Sequence, residues 1–302
     1  MEISSGIILS DFMMNLLNEI NKRSLSKFSV ASIQSTIRKL GESETKTFLE
    51  DLKKLIEKTD NLNSKYTVLS HITSLFKHTS LATQISEEEI KEIVKLYQSY
   101  GKLKKEKIYE TTPNIKQADR FIDYEELKKA TDKMASSLDK LILALYTYQP
   151  PLRSDYNSIK IINGKYDELN FSNSQNYYTL KDNTFHINEF KTSEKYGTIK
   201  NKAPIKLKNL IVKSLTDQPR DYLIYNQKKQ TINEPITANY LGHEIQRITE
   251  KLFNKSISIN DIRHSFINKY NVDNTDVKTV INNAKKMGHS IITANMVYKK
   301  HF

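Results

Sequence analysis

Four short stretches in the second half of the chain carry side chains that can do chemistry together. Pro150-Pro151-Leu152-Arg153-Ser154-Asp155 sets an arginine just after an apolar helical run. Asn188-Glu189-Phe190-Lys191-Thr192 ends a run of β character with a lysine. Asn260-Asp261-Ile262-Arg263-His264-Ser265-Phe266 places a second arginine early in a helical pattern. Met287-Gly288-His289-Ser290 is followed, nine residues after the histidine, by Tyr298. Only seven of the 47 basic residues are arginine. Where this chain does use one, a planar, permanently charged, two-pronged donor is the property that lysine lacks. An imidazole can hydrogen-bond an anion or accept a proton near neutrality. A phenol, with a pKa near 10, is ionised in only about one molecule in a thousand at neutral pH, so it attacks only with help.

Composition bounds what such a set can serve. The 302 residues point to two domains at roughly 150 residues each. Lys plus Arg outnumbers Asp plus Glu by 47 to 35, a net charge of +12. That balance suits a polyanion such as nucleic acid, and suits a merely lysine-rich, solvated surface equally well. The absence of cysteine excludes a disulfide scaffold, a thiolate zinc site and a cysteine nucleophile. No apolar run approaches the length of a membrane span; residues 141–146 are among the longest. Met1-Glu2-Ile3-Ser4-Ser5 lacks the basic start of a secretory signal. No glycine-rich phosphate loop of the dinucleotide or P-loop type is present. The expectation is a soluble, intracellular, basic protein of two domains.

The elements that must position these residues follow from periodicity. Val30, Ile33, Ile37 and Leu40 fall at helical spacing, as do Phe48, Leu49, Leu52, Leu55 and Ile56. Val68, Leu69, Ile72, Leu75 and Phe76 make a third helix; Ile90, Ile93, Val94 and Tyr97 make a fourth, opened by a Ser86/Glu89 capping box. Residues 1–110 are therefore expected to form a helical bundle, and residues 1–20 leave open whether they form a separate arm. Residues 101–118, with Lys102, Lys104, Lys105 and Lys107 and then Pro113, read as a basic linker. Residues 111–302 are mixed: a buried helix through Leu138, Leu141, Ile142 and Leu145, β-runs at 158–162, 177–180 and 184–190, then helices near 205–215, 238–253, 260–270 and 277–287. The expected class is α+β, mostly helical, with a small antiparallel sheet in the second domain.

In order and spacing the four stretches with Tyr298 resemble the catalytic domain of the tyrosine recombinases, the phage-integrase family. The resemblance covers about residues 120–302. The helical first third is similar to that family's core-binding domain, and the Pro-Pro-Leu-Arg and Arg-His-Ser wording is similar to integrase-like proteins of large DNA viruses and virophages. The resemblance implies a site-specific DNA recombinase that cleaves and rejoins DNA through a 3′-phosphotyrosine intermediate, with no metal, no ATP and no other cofactor. It implies Arg153 and Arg263 on the non-bridging phosphate oxygens, His289 beside the phosphate and Tyr298 as nucleophile. It also implies Lys191 as general acid on a β-hairpin, with Lys195 as its rival. Electrostatic donors of this kind are typically worth about 10²–10³ in rate. The implied partner is double-stranded DNA, held by a homotetramer on two duplexes that is a monomer or weak dimer when free.

Two departures stand out. The family's second arginine box often begins with histidine or lysine, where this chain has Asn260. Asparagine can donate to a phosphate but cannot be a cation, and it can equally serve as a helix cap. His264 is expected in a buried hydrogen-bonding role. Only four residues follow Tyr298, where many relatives carry a further helix that docks on a neighbouring subunit. The competing readings are a type IB topoisomerase-like enzyme with a similar residue set and a catalytically inactive DNA-binding relic.

Overall fold

The computed structural model describes residues 9–23, 25, 27–110, 112–164, 175–229, 231–270, 275–290 and 293–294. The chain divides into two compact units, Met1–Tyr109 and Glu110–Phe302. Among the described residues no helix is long and apolar enough to cross a membrane.

The first unit contains helices α1 (Asp11–Asn21), α2 (Lys27–Leu40), α3 (Phe48–Lys58), α4 (Leu62–His78), α5 (Leu81–Gln84) and α6 (Glu87–Tyr109). Their starts follow local chemistry. Ser10 accepts from the Met13 N–H, Asn61 accepts from the Ser64 N–H, and Ser86 exchanges hydrogen bonds with Glu89. The apolar stripes meet in a core around Met13, Leu16, Ile37, Leu52, Leu69 and Ile72. Helix α1 is part of this core through Phe12, Met13, Leu16 and Ile20, so residues 11–21 belong to the bundle and not to a separate arm.

The expected linker over 101–118 is corrected: α6 runs on to Tyr109, and a further helix, α7 (Ile115–Arg120), follows. Lysine is a good helix former, and the lysine run is the solvated face of the last turns of α6. Gly101 sits inside α6 because a Cβ there would lie 3.3 Å from the Tyr66 ring. Tyr66 in turn stacks on Tyr97, with ring centroids 5.1 Å apart, and takes the Lys104 ammonium 4.2 Å from its own centroid.

The second unit continues with α8 (Tyr124–Lys133), α9 (Leu138–Thr147) and a 3₁₀ turn at Ser154–Ser158. Next come β1 (Lys160–Ile162), β2 (Tyr177–Thr179), β3 (Thr184–Ile187), the single turn α10 (Ser193–Tyr196) and β4 (Ile199–Lys202). Helices α11 (Ile205–Asp217), α12 (Ala238–Phe253), α13 (Ile259–Tyr270) and α14 (Val277–Lys286) complete it. The strands form one sheet in the order β1-β2-β3-β4. The expectation of an antiparallel sheet is corrected at one edge: β1 pairs with β2 in parallel, Ile161 opposite Tyr178. The connection between them spans residues 163–176, since parallel neighbours cannot be joined by a two-residue turn. The antiparallel pair β2 and β3 is joined through Lys181-Asp182-Asn183, with Asn183 at φ 53°. Strand β4 was not expected: it alternates Ile199 and Asn201 inward with Lys200 and Lys202 outward, so only one apolar residue marks it.

Beneath the sheet lies an aromatic cluster. Tyr146, Tyr156 and Phe185 pack edge to face with centroids 5.4 and 5.6 Å apart. Their hydroxyls are satisfied: Gln149 donates to Tyr156, and Tyr146 donates to the Arg153 carbonyl. Two of the scarce arginines are structural. Arg220 donates to the carbonyls of Ser214, Gln218 and Leu223, and Arg247 bridges Asp139 and Glu244.

Candidate active site

Three of the sequence-selected stretches converge on two consecutive carbonyls. Helix α14 ends at Lys286 with Met287 as its cap, and the Gly288 and His289 N–H groups return to the carbonyls of Lys285 and Ala284. That pair of bonds, with Gly288 at φ 69°, is a Schellman cap, so the Gly-His step is first a helix terminator. The cap turns out the carbonyls that the site uses. Arg263 Nη1 donates to Met287 O at 3.3 Å and to Pro151 O at 2.6 Å. Arg153 Nη1 donates to Gly288 O at 3.3 Å, and the Thr192 hydroxyl, next to Lys191, donates to the same oxygen at 3.1 Å. Arg263 thus ties the Pro-Pro-Leu-Arg loop to the Gly-His loop from below. Arg153 and Thr192 close the connection from above.

Gly288 has no substitute in this arrangement. Besides its left-handed backbone, a Cβ would stand 3.2 Å from Ile199 Cδ1 and 3.3 Å from two Phe190 ring carbons. Gly288→Ala is expected to lower stability by about 1–2 kcal/mol in urea denaturation. A variant as stable as the parent would overturn this account of the cap.

His289 is 4% exposed and takes part in the cap as its outermost residue. Its Nδ1 lies 3.1 Å from the Ser290 carbonyl, a contact that requires the proton on Nδ1 and leaves the lone pair of the neutral ring on Nε2. Burial lowers its pKa to about 4, and the charges of Arg263 and Arg153 add to the effect. The ring is therefore neutral at pH 7. Since the folded-state value lies below the ordinary one near 6.5, the unfolded chain binds the proton first as pH falls. The stabilisation is complete above about pH 6.5 and is lost progressively down to about pH 4, on the order of 3 kcal/mol in all. Urea midpoints between pH 7 and 4 should fall more steeply for the parent than for His289→Asn; equal slopes would contradict the assignment.

Arg153, Lys191 and Asn260 line one open cleft of about 600 Å³ in the second unit. Lys191 lies in the β3–β4 connection. Its rival Lys195 is not among the described residues lining the cleft, and its ammonium lies 5.5 Å from the Tyr196 ring centroid. Asn260 is exposed and is not the cap of α13: Ser258 is, exchanging hydrogen bonds with Asp261. His264 is half-buried and not in the core. Arg263 and His289 are not among the described residues lining this cleft; Arg263 is fully buried (0% exposed). Tyr298 lies outside the described residues. Burial pushes the Asp155 carboxyl above its usual range, and the Arg153 and Arg263 charges pull it back. Asp155 accepts the Arg153 backbone N–H at 3.2 Å.

Sequence reasoning missed part of the cleft lining. Asn239, Gly242, His243 and Gln246 of α12 line the cleft. They stand at i, i+3, i+4 and i+7, a polar row on one helix face that periodicity could have revealed. Among the described lining residues there is no carboxylate.

No protein-family model matches the chain, and no curated protein matches it in sequence. Solved structures do. The XerH site-specific recombinase bound to a palindromic difH substrate, a post-cleavage complex, is 18% identical over 97% of this chain and 87% of its own, with a TM-score of 0.55. XerH in a pre-cleavage complex with difH (16% identity, 96% and 91% coverage) and the XerA recombinase (11%, 96% and 93%) each align with a TM-score of 0.44. The likeness to the post-cleavage complex is one of fold: the chain has the mostly helical fold, with a small sheet, of a tyrosine recombinase.

Proposed function

We propose that the chain is a site-specific DNA recombinase that breaks and rejoins DNA through a phosphotyrosine link. The observation that carries this reading is the joining of the Arg153, Arg263 and His289 stretches through the Pro151, Met287 and Gly288 carbonyls, beside a cleft that also holds Lys191. The DNA-bound XerH structure of the same fold supports DNA as the partner.

Arg153 and Lys191 meet the phosphate in the cleft, where fixed positive charge stabilises the oxygens as charge builds on them. Arg263 acts from beneath, holding both loops and adding its field. Tyr298 attacks phosphorus and its proton passes to His289 Nε2. The bond from phosphorus to the 5′ oxygen breaks, and Lys191 supplies the proton that this poor leaving group needs. The phosphotyrosine bond keeps the free energy of the cleaved linkage, so attack by a partner strand's 5′ hydroxyl rejoins DNA without ATP. No step requires a metal, since the arginines and lysine carry the positive charge that two-metal enzymes place there. Exchange between two duplexes calls for four protomers, assembled on DNA.

The test uses a duplex nicked so that the cleaved strand diffuses away, carrying a candidate attachment site from the junctions of the parent element with its host. The expected result is a protein–DNA adduct that survives denaturing electrophoresis, and exchange between two such sites. Adduct formation with relaxation of supercoiled plasmid but no exchange would favour a topoisomerase. Binding without adduct would identify an inactive DNA-binding protein.

A further inference from the structure

A lysine that must hand over a proton has a long, freely rotating side chain, so its backbone has to be fixed before its ammonium can be aimed. The chain fixes Lys191 from both sides. Upstream, Asn176 is 3% exposed and spends its whole amide. Its Oδ1 accepts the Asn188 and Glu189 N–H groups, each at 2.8 Å, and its Nδ2 donates to Glu189 O at 2.9 Å and to Asp155 O at 3.3 Å. One buried side chain thereby ties the approach to Lys191 to the turn that opens at Arg153. Downstream, Thr192 stands at the N-cap of α10 and yet makes no cap hydrogen bond there. Its hydroxyl instead reaches across 96 residues of sequence to Gly288 O, the carbonyl that also takes Arg153 Nη1. The buried Phe190 ring packs on the same turn, 3.3 Å from where a Cβ at position 288 would stand. Phe190 and Thr192 are thus both committed to the Gly288 turn, while Lys191 between them is exposed and lines the cleft.

We infer that Thr192 is a positioning residue for Lys191: its hydrogen bond to Gly288 O holds the lysine where its ammonium can protonate the departing 5′ oxygen. This rests on the function proposed above. The Thr192 proton is committed to a carbonyl, so the residue acts on the reaction through its neighbour and not by touching the reacting atoms. Because Arg153 and Thr192 share one acceptor, the same oxygen sets the lysine's station relative to the arginine. A displacement of about 1 Å at such a site costs on the order of 10²-fold in rate. The fold does not depend on the bond. Without the hydroxyl, Gly288 O keeps its Arg153 donor, and Thr192→Val preserves size and branching at Cβ. Station and stability therefore separate at this residue.

The experiment measures single-turnover adduct formation by the full chain on the nicked duplex, with either oxygen or sulfur at the bridging 5′ position of the scissile link. Sulfur leaves with its electron pair as a thiolate, whose thiol has a pKa near 8.5, and needs no proton; the sugar oxygen does. Thr192→Val is expected to slow the oxygen substrate about 10- to 100-fold and the sulfur substrate by less than about threefold. Lys191→Ala should show the same selectivity with a larger loss, about 10²–10⁴ on oxygen. Adding Thr192→Val to Lys191→Ala should cost nothing further, because the threonine acts through the lysine. Thr192→Ser, which keeps the hydroxyl, should return to within about threefold of the parent. Thermal unfolding of each variant should give the parental Tm within a few degrees. Slowing of both substrates alike, a parental rate for Thr192→Val, or an additive double variant overturns the inference, and the parent's adduct then leaves the recombinase reading in place. A Lys191→Ala loss that sulfur does not rescue overturns it as well, by removing the general acid. A parent that forms no adduct on either link sinks the recombinase reading and the inference with it.

Discussion

Replacing Arg263 with alanine is expected to cost on the order of 3–5 kcal/mol of stability and to abolish covalent capture of DNA. The guanidinium is fully buried and serves the carbonyls of Pro151 and Met287, which belong to segments far apart in the chain. Its removal leaves both oxygens buried with one donor fewer and unties the two loops that bear Arg153 and His289. Since small domains are stable by only about 5–15 kcal/mol, the loss should be visible as a large shift of the urea midpoint. Arg263→Lys separates charge from geometry. An ammonium keeps the positive charge but not the planar fork, so stability should fall less while adduct formation still drops by about 10²–10³. A lysine variant with parental stability and rate would show that the two-loop tie has no function.

Tyr298→Phe is expected to eliminate the covalent adduct while leaving equilibrium DNA binding unchanged, because only the hydroxyl is lost. The choice among 17 tyrosines rests on more than spacing from His289. Tyr124 and Tyr146 are buried, burial raises their pKa well above 10, and their hydroxyls are spent on the Tyr146 and Arg153 carbonyls. Burial and the nearby Asp155 charge also raise the Tyr156 pKa, against the opposing pull of the Gln149 amide that donates to its oxygen. The check is denaturing electrophoresis on the nicked duplex with peptide mapping of any adduct. A surviving adduct in the phenylalanine variant would place the nucleophile on another side chain.

Much of the architecture was legible one residue at a time. Helices declare themselves through a 3.6-residue period and through caps, and both are local: the Ser86/Glu89 box and the apolar spacing in α3, α4, α12 and α14 needed nothing beyond neighbouring residues. The Gly-His step, picked out in the sequence for its chemistry alone, ends α14 for an equally local reason, since glycine is favoured where a helix ends in a left-handed residue. The lysine run after Gly101 misled because charge looks alike on a linker and on the solvated face of a helix; only the Tyr66 ring against Gly101 distinguishes them.

Sequence alone determined which side chains have the chemistry for phosphate transfer, and in what order they occur. Tertiary structure decided their stations. It paired β1 with β2 in parallel, made β4 a strand on one inward isoleucine, and sent Lys191 but not Lys195 to the cleft. It also buried Arg263 against two carbonyls and brought α12 to the same cleft as Arg153. The physical reason is that type and period are written in a residue and its near neighbours. Burial, the electrostatic shift of an imidazole and the lining of a cleft depend on segments far apart in the chain, which meet only when it folds.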